Sequence, residues 1–100
     1  MVQEINVADT HVQVNLSGSM YVEEAATLRA SLNEYIDKGH KNFVVDLGAV
    51  DYIDSTGLGT FLHILKRTRK NGGSVSIKGL NGLVKEVFEM SRVGNLFEIQ

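Results

Sequence analysis

Phe43-Val44-Val45-Asp46-Leu47 is almost continuously apolar, and a short way further on the period changes: Leu58, Phe61, Leu62 and Leu65 recur at i, i+3, i+4 and i+7. The first pattern is that of a strand covered on both faces or lying under a helix, and the second is an amphipathic helix. A buried strand that feeds a helix through a short connection is half of a parallel crossover, so this pairing commits the chain to an α/β fold. The connection, Gly48 to Asp54, reads as an acidic turn. The helix that follows opens at Ser55 and closes on Lys66-Arg67-Thr68-Arg69-Lys70 before Asn71-Gly72-Gly73.

The same reading extends outward in both directions. Ile5 and Val7, then Val12, Val14 and Leu16, alternate with polar neighbours around a turn at residues 8–10, which predicts an opening antiparallel hairpin. Ala25, Leu28, Leu32, Tyr35 and Ile36 share one face of a helix over about Val22 to Lys38, with Glu23 and Glu24 in its first turn and Gly39 after its end. Val75 and Ile77 alternate as a strand. Leu83, Val84, Val87 and Phe88 form a helical stripe, and Leu96, Phe97 and Ile99 supply a last strand. The order is β-β-α-β-α-β-α-β: one domain over residues 1–100, with a mixed, mostly parallel sheet and helices packed against it. Right-handed crossovers make the second, third and fourth strands parallel and gather their C-terminal ends at one edge. There the segments Gly18 to Tyr21, Gly48 to Asp54 and Gly79 to Asn81 form loops, with Ser55 at the middle, where open α/β sheets hold ligands or partners.

Composition narrows the function. One hundred residues, 43% hydrophobic and 22% charged, suffice for one core. A formal charge of −2 gathers no polyanion, so direct nucleic-acid binding is not expected. With no cysteine and only His11, His40 and His63, which make no ligand pattern, neither a metal nor a cofactor is implied. The N-terminus has neither a basic start nor an apolar run, and no segment approaches the length of a membrane span, so a cytoplasmic location is expected.

Asp54-Ser55-Thr56-Gly57-Leu58-Gly59 carries the chemistry. With Asp54 as N-cap, its carboxylate accepts from first-turn N–H groups and Ser55 occupies the first helical position at the sheet edge. A helix start has unpaired N–H groups and partial positive charge, so a phosphate on Ser55 is tolerated there. Gly57 and Gly59 each cost about 0.8–1 kcal/mol relative to alanine. Either close helix–strand packing demands them, or a bare helix start admits another protein to Ser55. A phosphoserine beside Asp54 leaves dipole stabilisation and carboxylate repulsion opposed, so the fold changes little while a partner pressed on that turn is released. Met20, Tyr21 and Val22 crowd the same edge and Ile64 lies off the main stripe of its helix, so these are the apolar candidates for the contact.

This hexapeptide, following Val44-Val45-Asp46-Leu47, resembles the signature of the bacterial anti-sigma-factor antagonists, the STAS-domain family. The likeness extends through Leu16-Ser17-Gly18, Ala26-x-Leu28-Arg29, Gly72-Gly73 and Val84-x-x-Val87-Phe88-x-Met90-Ser91. It implies that the unmodified protein binds an anti-sigma factor and frees a sigma factor. The anti-sigma factor, also an ATP-dependent serine kinase, ends the interaction by phosphorylating the antagonist, and a serine phosphatase restores it. By resemblance Ser55 is the phosphoacceptor, with Thr56 the adjacent hydroxyl and lesser candidate and Asp54 preceding both. Together with the helix-start and sheet-edge readings above, the expected partner-binding residues are Asp54, Thr56, Gly57, Gly59, Met20, Tyr21 and Ile64. Two departures are present: Gly18-Ser19-Met20-Tyr21 replaces a Gly-Glu-Leu-Asp common in the family, and the chain stops at Gln100 where many members add a helix, which would leave part of a helix or strand exposed.

Other readings fit less well. A nucleophile elbow requires glycine at position 53, which is Ile53, and His63 lies two helical turns from Ser55, beyond catalytic contact, so no enzyme activity is expected. Gly57-Leu58-Gly59 lacks the third glycine of a dinucleotide fingerprint, because Leu62 stands there. The basic run complements the dipole at a helix C-terminus. The alternative within the fold is a STAS-like docking subunit of a transporter or regulatory complex that works without phosphorylation.

Overall fold

The computed structural model describes all of residues 1–100. Its elements are β1 (Val2–Val7), β2 (Val12–Met20), α1 (Val22–Asp37), β3 (Asn42–Ile53), α2 (Ser55–Lys70), β4 (Ser74–Lys78), α3 (Gly82–Met90), a 3-10 turn (Val93–Leu96) and β5 (Glu98–Ile99). The five strands follow one another across the sheet in chain order. β1 and β2 pair antiparallel, with Val2 opposite Ser17 and Val7 opposite Val12, and every later pair is parallel. The order expected from the alternating patterns is the order observed.

Sequential strand order has a geometric consequence. Each right-handed crossover steps in the same direction, so all three helices land on one face of the sheet. The register lines up the side chains they cover: Val12, Phe43 and Val75 form one rung, and Val14, Val45 and Ile77 the next. These join Leu28, Leu32, Phe61, Leu65, Val84 and Phe88 in a single buried cluster. The opposite face carries the rungs Gln13, Val44, Ser76, Glu98 and Asn15, Asp46, Lys78. It is laced by hydrogen bonds such as Ser76 Oγ to Glu98 Oε2 at 2.8 Å and Gln13 Nε2 to Asn15 Oδ1 at 2.9 Å.

One boundary differs from expectation in a way that matters. The acidic turn over residues 48–54 is not a turn: β3 continues to Ile53 and β2 to Met20, leaving only Asp54 and Tyr21 before the helices. Strict alternation fails there because the β2–β3 register shifts between Asn15 and Ser17 and again between Gly18 and Ser19. Such bulges re-aim side chains without ending the ladder, and Gly18 supplies a φ of 94° that L-residues rarely adopt. The result buries Val50 and Ile53 and delivers two helix starts, at Val22 and Ser55, side by side at the end of two paired strands.

Candidate functional site

α2 begins where it does because Asp54 stops the strand and caps the helix. Its backbone is extended (φ −107°, ψ −174°) and its Oδ1 accepts from the N–H of Thr56 at 3.0 Å and of Gly57 at 3.2 Å. The Thr56 hydroxyl donates to the same oxygen. Above all that hydroxyl, and then the two N–H groups, hold the Asp54 carboxyl below its ordinary value, against a smaller opposing effect of burial. The cap leaves the neighbouring alcohols in different states. Thr56 is engaged, whereas Ser55 is exposed and makes no side-chain hydrogen bond within the chain.

The two glycines separate just as clearly. A Cβ on Gly57 would lie 2.5 Å from Ile53 Cγ1 and 2.9 Å from Met20 Sδ, so this glycine lets the first turn of α2 seat on the ends of β2 and β3. A Cβ on Gly59 would meet nothing within 4 Å. Packing explains Gly57 and leaves Gly59 unexplained, one turn below Ser55.

Of the apolar contact candidates, two are corrected. Met20 is fully buried and Ile64 is 1% exposed, because Met20 lies under Gly57 and Ile64 faces the sheet within the core, so neither offers surface to a partner. Tyr21 and Val22 do: they are 55% and 60% exposed at the start of α1. The Tyr21 ring leans on Tyr52 at 5.1 Å between centroids, and Ser19 Oγ donates to Asp51 Oδ1 at 2.6 Å beside them. Tyr52 was hidden in the sequence by the turn expected there.

Between the parallel helices α1 and α2 runs a shallow groove of about 340 Å³, walled by Val22, Ala26, Arg29, Thr56, Gly59 and Thr60. Below it the helices are clasped. Arg29 Nη2 lies 3.2 Å from His63 Nδ1, and His63 Nε2 lies 3.2 Å from Asn33 Oδ1. Arg67 Nη1 donates to that same oxygen at 2.8 Å and pairs with Asp37 at 3.0 Å. Burial, then Arg29 and Arg67, lower the pKa of His63. His63 is thus occupied two turns from Ser55. The basic run at the end of α2 is also structurally engaged, with Arg69 Nη2 donating to the Leu96 carbonyl at 2.5 Å. The sequence marked Arg29 only within the Ala26-x-Leu28-Arg29 likeness and gave no sign of this contact, since its partner His63 lies 34 residues away.

Comparison with known proteins places these features in a family. Residues 3–100 match the model of the STAS domain. The chain is 37% identical over 84% of its length to BtrV of Bordetella bronchiseptica, named a candidate anti-sigma factor antagonist, covering 72% of that protein. It is 29% identical over 96% of its length to the anti-sigma-B factor antagonist of Bacillus subtilis, covering 87% of it. Its fold is similar to that of the Bacillus cell fate determinant SpoIIAA in its phosphorylated form, with a TM-score of 0.81 at 18% identity, covering 99% of this chain and 91% of that one. No helix of the structure is long and apolar enough to cross a membrane.

Proposed function

The chain belongs to the STAS domain family, and from that premise we propose that it is an anti-sigma-factor antagonist that works by switching partners. In its free form it binds an anti-sigma factor that is also a serine kinase, and a sigma factor is thereby released. Phosphorylation of Ser55 ends the interaction, and a serine phosphatase reverses it. The protein performs no reaction of its own. The observation that carries this reading is the unengaged, exposed Ser55 hydroxyl at the start of α2, beside a threonine whose hydroxyl the capping carboxylate already holds.

The physics of the switch follows from position. A phosphate adds about −1.5 to −2 charge at an exposed helix start, where the dipole favours it and Asp54 opposes it. The core lies behind Gly57 and is not touched. A partner lying over that turn has to desolvate a dianion or make room for it, so the change is felt in binding rather than in folding.

Ser55→Ala protein is expected to bind the anti-sigma factor permanently and Ser55→Asp to bind it at least about tenfold more weakly, with unchanged melting temperatures. Calorimetry with the partner recovered on Ser55→Ala measures both. Equal affinities would overturn the switch. Incubating the unmodified protein with that partner and ATP, followed by intact-mass measurement and site mapping, separates the switch from a phosphate-independent docking subunit, which gains no phosphate at Ser55.

A further inference from the structure

Arg29 stands apart from every other charge near the proposed switch. It is the only charged residue lining the groove between α1 and α2, and none of the chain's ion pairs includes it. Its one side-chain partner is the neutral acceptor His63 Nδ1 at 3.2 Å, which fixes the guanidinium at the foot of the groove and leaves its other N–H groups without a partner in the chain. The rest of the wall is small or apolar: Val22 is 60% exposed, Ala26 is exposed, and Gly59 has open space where a side chain would stand. That glycine weakens the helix and is not required by packing, which is the pattern of a surface kept bare for something else to lie on.

We propose that this groove receives a segment of the partner that carries a carboxylate to Arg29. The proposal rests on the antagonist reading and specifies the chemistry of the partner it needs. From Ser55 to the level of His63 is about 12 Å along the helix, the length of two helical turns or of three to four extended residues. A segment of that length lies over Gly59, places its apolar side chains against Val22 and Ala26, and ends with its acid on the unpaired guanidinium. Charge complementarity selects the acid. A phosphate on Ser55 stands at the mouth of that groove and obstructs the segment's path to Arg29.

The test uses full-length protein and the purified anti-sigma factor recovered with Ser55→Ala, by calorimetry. Arg29→Glu is expected to weaken binding at least about tenfold, and Arg29→Lys to keep part of the affinity as a point charge. Exchanging the responsible partner carboxylate for lysine restores binding to Arg29→Glu alone. Gly59→Gln is expected to weaken binding to a similar degree with an unchanged or higher melting temperature, because the side chain enters open space on a helix it stabilises. Wild-type affinity in both Arg29→Glu and Gly59→Gln overturns the proposal while leaving the Ser55 switch intact. Loss in Gly59→Gln but not in Arg29→Glu reveals an uncharged occupant and overturns the acidic assignment. Groove-sensitive binding that ignores phosphorylation of Ser55 removes the switch but keeps the groove. Failure of Ser55→Ala to bind any anti-sigma factor overturns both.

Discussion

Two glycines one helical turn-fraction apart do opposite work, and a single methyl group distinguishes them. At Gly57 an added Cβ falls 2.5 Å from Ile53 Cγ1, a core side chain with little room to move. Overpacking of that kind costs about 1–3 kcal/mol, more than the roughly 1 kcal/mol of helix propensity that alanine returns. Gly57→Ala is therefore expected to destabilise the protein by about 1 kcal/mol. Gly59→Ala, entering open space, is expected to stabilise it by about 0.8–1 kcal/mol. Urea denaturation of the pair checks both signs, and a stabilised Gly57→Ala would refute the packing account. Asp54 belongs to the same scale. Its carboxyl is held low, so its capping contribution is complete above the unfolded value near 3.8 and fades as pH falls through the lower folded value. Asp54→Ala is expected to cost about 1 kcal/mol at neutral pH, and the difference from wild type should narrow in acid. Nothing in the residue order distinguished the two glycines, because the atoms that separate them come from β2 and β3.

At the scale of elements, the contact between α1 and α2 depends on a neutral imidazole. A guanidinium does not release its protons, so His63 Nδ1 accepts from Arg29 and, by the logic of the network, Nε2 carries the hydrogen that faces Asn33 Oδ1. Protonation would set a second N–H against Arg29 with Arg67 also near. The folded protein therefore disfavours the charged ring, through burial first and the two arginines next. A histidine with a lowered folded pKa contributes stability that is present above its unfolded value near 6.5 and is lost as pH falls through the folded value. Wild-type melting temperature is expected to fall more steeply than that of His63→Gln between pH 7 and the folded pKa, and NMR titration should find His63 below 6.5. Parallel slopes in the two proteins would refute the clasp. The helices themselves were legible, since α1 and α2 declare their apolar faces at helical spacing. The clasp was not, because it is made by the polar faces, which obey no period. The end of β3 differs from expectation for a related reason: bulges break alternation, and Gly48 and Asp51, which the β2–β3 register skips, imitate the chemistry of a turn while remaining within the strand.

Across the whole molecule, strands laid down in chain order put α1, α2 and α3 on one face and make a single core, so its last members close it. That much could be read from the alternation of patterns, and the placement of Ser55 at the shared end of the parallel strands came with it. The closing contact could not. Phe88 of α3 is 1% exposed and lies 6.3 Å between ring centroids from Phe61 of α2 and 5.9 Å from Phe97, which precedes β5. One ring thus ties α3 to α2 and to the segment that leads into β5. Removing it forfeits the transfer free energy and leaves a cavity that the rigid sheet cannot fill, at a cost of about 3–5 kcal/mol. Against a total of about 5–15 kcal/mol for a domain of this size, that is a large share of the stability. Phe88→Ala is expected to lower the melting temperature by about 15 °C or more, while Phe88→Leu, which keeps most of the volume, loses less than about 1.5 kcal/mol. The Gln100 amide, bonded to the Ile77 carbonyl at 2.8 Å, should also lose hydrogen-exchange protection in Phe88→Ala before the amides of β2 and β3 do. A variant that melts within a few degrees of wild type would mean that the core closes without α3.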